Sequence, residues 1–163
     1  MIIVSDATPI ISFLKIGKLE ILNKLYGEVL LPEAVYKEVT TNKEFIQEAQ
    51  QIINCNYIKK VKTNNTKEIS LLRKYTGLDL GESEAIIYSE QNKADLLIVD
   101  EIKARQVATS MNIKITGTIG VLFVANQEGL LSKEEAYTCV KILKSNHRYI
   151  SESLYNNLLK SLI

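Results

Sequence analysis

The chain predicts an α/β fold with a mostly parallel central sheet flanked by helices. Two apolar runs, residues 2–4 and 95–99, show no sustained polar alternation, as in strands covered on both faces. Each is followed by a carboxylate, Asp6 and Asp100, and each leads into a helical pattern. Strands built this way are expected as parallel neighbours, which would bring both carboxylates to the carboxyl edge of one sheet, where open α/β folds bind ligands.

In chain order, Thr8-Pro9 reads as an N-cap followed by a proline at the first helical position, so Asp6 falls in a strand-to-helix turn. Taken alone, Asp6 reads equally well as a helix cap. Residues 18–26 carry Leu19, Ile21, Leu22, Leu25 and Tyr26 at helical spacing between Gly17 and Gly27, which suit helix C-termini. A second short strand, 28–31, stops at Pro32, which suits the first position of a helix over 33–39. Glu38 lies beside the core-facing Val35 and Val39 of that helix. Residues 43–53 read as an amphipathic helix using Phe45, Ile46, Ala49, Ile52 and Ile53, and 57–61 as a more exposed strand. A polar connector at 62–67 precedes a helix over 69–75, and 77–81 reads as a turn. The helix over 82–90 places Glu82 on one face with Ala85, Ile86 and Ser89, and Glu84 on another. For either glutamate, stabilisation of the helix start is the simplest role.

After the strand at 95–99 come a helix over 102–111, a brief strand at 113–115, a polar turn at 116–120 and an apolar helix over 121–127. Ser132-Lys133-Glu134-Glu135 is a capping box for a helix to about residue 144, and Ser151 is read as the cap of a last helix to 162. We read residues 1–163 as one domain, completed by the helices from about 132.

At 163 residues, 46% hydrophobic and 24% charged, the composition is that of a globular domain with a sizeable core. No run approaches the roughly 18 apolar residues of a membrane span, and the N-terminus opens on strand-like sequence, so a cytoplasmic protein is expected. Cys55 and Cys139 read as free thiols. A net charge of +1 gives no general affinity for nucleic acid. Lys59, Lys60, Lys62, Arg73, Lys74, Lys103 and Arg105 read as a solvated face, with a path for a polyanion as the alternative.

The single histidine, His147, sits in a polar stretch and is expected in an exposed loop. Any Ser-His-Asp triad would have to use it. No HExxH, GxGxxG or GxxxxGK[ST] motif occurs. What remains is acids: Asp6, Glu38, Glu82 and Asp100. An all-oxygen set of this kind favours magnesium or manganese over zinc, and such ions support phosphodiester hydrolysis without a histidine.

The strand ending at Asp6, the helix bearing Glu38, the Gly81-Glu82-Ser83-Glu84-Ala85-Ile86 segment, Leu97-Ile98-Val99-Asp100-Glu101 with Arg105 following, and the Thr116-Gly117-Thr118 turn occur in this order. Together they resemble the PIN-domain family, in particular a subgroup related to VapC-type toxins, over essentially the whole chain. The resemblance implies a three-layer Rossmann-like PIN fold and a metal-dependent endoribonuclease. It also implies an RNA substrate, a toxin's role beside a cognate antitoxin protein, and a homodimer. Carried over by position, Asp6, Glu38, Glu82 and Asp100 would be the catalytic acids and the ligands of magnesium or manganese, with Glu84 and Glu101 as reserves. The third acid is a glutamate where many members carry aspartate. Thr8 or Thr118 could hydrogen-bond a ligating carboxylate, although capping suits both. The alternative is a catalytically inactive PIN-like module that binds nucleic acid or a partner. A phosphoacceptor receiver domain fits poorly, because it would want an acidic pair directly after the first strand.

Overall fold

The computed structural model describes residues 1–146 and, beyond them, 153, 155–157 and 160. His147 and the helix expected after Ser151 lie outside the described residues, apart from those isolated positions. Five strands, β1 (Ile3–Ser5), β2 (Val29–Pro32), β3 (Ile58–Val61), β4 (Leu96–Ile98) and β5 (Ile115–Thr116), form one sheet in the order β3-β2-β1-β4-β5. Every pairing is parallel. The register sets Ser5 beside Ile98, so β1 and β4 end together at the carboxyl edge. Because the chain runs outward from β1 through β2 to β3 and then returns to β4 on the other side, the switch in strand order falls between β1 and β4. Helices on the two faces complete the three-layer α/β fold.

The central strands are dry: Ile3, Val4, Val29, Leu31, Leu97 and Ile98 are fully buried. β3, at the edge, turns both Lys59 and Lys60 to solvent, so it is an exposed strand as expected but does not alternate between buried and exposed residues.

The helices are α1 (Ala7–Lys15), α2 (Glu20–Tyr26), α3 (Glu33–Thr41), α4 (Ile46–Ile53), α5 (Thr66–Thr76), α6 (Leu80–Gln91), α7 (Ile102–Ser110), α8 (Thr118–Gln127) and α9 (Lys133–Ser145). α1 starts two residues before the expected place, so Asp6 rather than Thr8 holds the N-cap position and Pro9 is the third helical residue. Pro32 closes β2 and takes the N-cap position of α3 rather than its first turn. The helix expected over 43–53 is split into a 3-10 turn, Lys43–Phe45, and α4. α4 buries Ala49 and Ile52 but leaves Ile46 and Ile53 67% and 53% exposed. The change of helical pitch at the junction rotates the apolar stripe away from a single face. The capping box Ser132/Glu135 at the start of α9 forms as expected.

Two turns are shorter than their glycines suggest. α6 begins at Leu80 and takes Gly81 inside its first turn, and α8 begins at Thr118, directly after Gly117. Both changes occur at the carboxyl edge, where the acids lie.

Candidate acidic site

Asp6 follows β1 directly. Its backbone N–H donates to the Ile98 carbonyl at 3.0 Å, which ties it to the end of β4. Its side chain stands in the capping position of α1 but accepts from no helix N–H beyond that of the adjacent Ala7. It is only 4% exposed. Burial raises its pKa to about 7; the Ala7 backbone N–H opposes this, and the charges of Asp79, Glu82 and Glu38 push it further up. A carboxyl half-protonated near neutrality among like charges differs from a simple helix cap.

Glu38 is exposed on α3, but its Oε2 lies near the first turn of α6, 3.6 Å from where a Cβ on Gly81 would stand. Partial desolvation there, then the Asp79 charge, raises its pKa. Glu82 is the third residue of α6 and half-buried. Its Oε2 accepts from the Asp79 backbone N–H at 2.9 Å, and its own N–H donates to Asp79 Oδ1 at 2.8 Å. Desolvation raises the Glu82 pKa against that hydrogen bond, helped by the charges of Asp79, Glu101 and Glu38.

Asp79 is therefore the common neighbour of Asp6, Glu38 and Glu82, and it is the residue that the sequence reading missed. Asp79-Leu80-Gly81-Glu82 carries the spacing of a capping box, with aspartate as the cap. Reading Gly81 as part of a turn hid that signal.

Asp100 stands on the neighbouring strand end, one residue beyond Val99. Oδ1 accepts from the Thr118 backbone N–H at 2.7 Å and Oδ2 from the Thr118 hydroxyl at 2.6 Å. The threonine thus serves this carboxylate as well as opening α8. Glu101 instead caps α7, accepting from the Ala104 N–H at 2.7 Å, while remaining close enough to Glu82 to raise its pKa. Glu84 accepts from the Ala34 N–H at 2.8 Å, pinning α6 to the first turn of α3. Of the basic residues, Lys59, Lys60, Lys62, Arg73, Lys74 and Lys103 are exposed and only Arg105 is half-buried.

The fold thus brings Asp6, Glu38 and Glu82 together electrostatically around Asp79, with Asp100 held one strand away. Among the described residues, no group of three or more acidic, histidine or cysteine side chains is poised to hold a metal ion as it stands. Asp79, Glu82, Asp100 and Glu101 each already accept from a backbone N–H. The donor chemistry nevertheless suits a hard divalent cation. The groups are carboxylate oxygens, and a positive charge beside Asp6 would offset the burial and the like charges that raise its pKa.

An all-parallel sheet with acids gathered beside its topological switch point defines an α/β protein whose carboxyl edge is the candidate ligand site. A family model described as a PIN domain matches residues 2–163, and the chain belongs to that family. PIN domains are generally nucleases that act on nucleic acids and use divalent metals. No curated protein and no solved structure matches the chain. No helix among the described residues is long and apolar enough to cross a membrane.

Proposed function

We propose that the chain is a magnesium- or manganese-dependent endoribonuclease that hydrolyses RNA phosphodiester bonds at the acidic edge, with Asp6, Glu38, Glu82 and Asp100 as its ligating and catalytic acids. The observation that carries this reading is Asp6, buried at the end of β1 and held near pKa 7 by burial and by neighbouring acids. When bound, the cation supplies an acidified water and offsets the charge that builds on the phosphate. The chain's own part is to hold the acids at one edge. Asp6 would have to be deprotonated to hold a cation, so uptake would increase with pH through the neutral range. Thr118 orients Asp100 through both of its oxygens. In the cell, we propose a cytoplasmic toxin, homodimeric and paired with an antitoxin protein, on the strength of its resemblance to VapC-type members.

One observation favours the alternative, a PIN-like module that binds nucleic acid or a partner without cutting. Both Asp100 oxygens and one oxygen of Glu82 are engaged by protein donors. A single experiment separates the two readings: incubation of a mixed RNA pool with the full chain and magnesium or manganese, with EDTA, and with Asp6→Asn. The nuclease reading expects cleavage that both chelation and substitution abolish. Folded protein that binds RNA but cuts none of it with either metal would favour the binding module.

A further inference from the structure

Arg105 departs from the solvated face expected of the basic residues. It lies in the first turn of α7, its backbone N–H donating to the Glu101 carbonyl at 3.0 Å. Its side chain is half-buried, and Nη1 donates to the Val99 carbonyl at 2.8 Å. Val99 immediately precedes Asp100. The Val99 N–H donates to the Thr116 carbonyl at 2.8 Å, so β5 and α7 grip this residue from two sides.

These contacts converge on Gly117. A Cβ there would lie 2.8 Å from Asp100 Oδ1, 3.0 Å from Arg105 Nη1 and 3.4 Å from the Val99 carbonyl oxygen. Only a bare backbone lets the carboxylate and the guanidinium come this close to the β5–α8 turn. The next residue, Thr118, supplies both donors to Asp100. Arg105 forms no ion pair within 4.0 Å with Asp100, both of them described residues. It acts instead on the backbone from which Asp100 projects.

We infer that Arg105 is a positioning residue for Asp100, a latch that joins α7, the end of β4 and the β5–α8 turn so that Asp100 is presented to Thr118. Its consequence for cation uptake rests on the nuclease reading above. A guanidinium suits this place because it stays charged and offers its donors in a rigid planar fork, whereas lysine offers one flexible point donor. Loss of the latch frees Val99 and Asp100, just beyond the end of β4, to shift without loosening the β1–β4 pairing or exposing the core.

Amide hydrogen exchange of the full chain, metal-free, tests the latch directly. The Thr118 amide donates to Asp100, and the Asp6 amide, which donates to Ile98, serves as the internal reference. In Arg105→Met, Thr118 exchange is expected to speed up about tenfold with the Asp6 rate nearly unchanged, as for the loss of one hydrogen-bonded restraint. Arg105→Lys is expected to restore part of the protection. No change at Thr118, or equal acceleration at both amides, overturns the inference.

A calorimetric titration with manganese alone reads the consequence: Arg105→Met is expected to bind about tenfold more weakly, the usual scale for losing support behind a ligand. Unchanged manganese affinity beside a faster Thr118 amide overturns the role of the latch in the site. A native chain that takes up no manganese overturns the functional reading, while a Thr118-selective response still upholds the latch.

Discussion

Replacing Asp6 by asparagine removes a buried carboxyl while nearly keeping its shape. The native carboxyl moves from its ordinary value of 3.8 to about 7 on folding, chiefly through burial. At 1.36 kcal/mol per pKa unit, that shift corresponds to up to about 4 kcal/mol between the two protonation states. The sign follows from linkage: the folded state holds its proton more tightly than the unfolded state. The stabilisation is therefore present below about pH 4 and is lost as pH rises towards 7. Asparagine cannot ionise. Asp6→Asn and native protein are thus expected to melt alike near pH 4, while at pH 8 without metal the variant melts higher by an amount on the order of 10 °C for a domain of this size. The assay is thermal unfolding by circular dichroism in EDTA, from pH 4 to 8, read as the difference between the two proteins. Taking that difference cancels most of the titration of Glu38 and Glu82, whose pKa values are also raised. A constant difference across the whole range, or a variant less stable at pH 8, would falsify the assignment of a strained carboxylate to this position.

Asp79→Ala removes the α6 cap and is expected to cost about 1 kcal/mol of stability in urea unfolding. It should also lower the pKa of Asp6 and Glu38, because Asp79 raises both, and carboxyl carbon shifts in NMR titrations check this. Leu97→Ala, at a fully buried position of β4, is expected to cost about 2–5 kcal/mol in the same unfolding assay, and a cost below 1 kcal/mol would contradict a close-packed sheet centre.

Asp6 and Asp100 were legible because a strand buried on both faces writes itself as an unbroken apolar run, and the residue after such a run falls at the sheet edge. The strand order could not be read from the runs, since it depends on which helices pack across which strands. Asp79 was missed for a local reason. Gly81 suggests a turn, yet here it lies buried inside the first turn of α6, beside Val35 of α3. A glycine inside a helix looks the same in sequence as a glycine required by a turn. Arg105 illustrates a third limit: its partner is the Val99 carbonyl, and no side-chain pattern announces a bond to the backbone. Asp100 and Glu101, adjacent in sequence, take different hydrogen-bond partners, Thr118 for one and Ala104 for the other.

The acids at this edge also serve as the molecule's own helix fittings. Asp79 and Glu82 close the start of α6, Glu101 that of α7, and Asp100 that of α8. In a zinc finger the chain has no structure until its ion arrives. Here the same carboxylates already accept hydrogen bonds from the fold, so a cation bound among them would compete with amides for them. Each oxygen drawn away to an ion would release an N–H at the first turn of a helix, which water can then satisfy. Cation uptake would therefore register as local fraying at the starts of α6, α7 and α8, and these three starts would respond together because one edge serves them all.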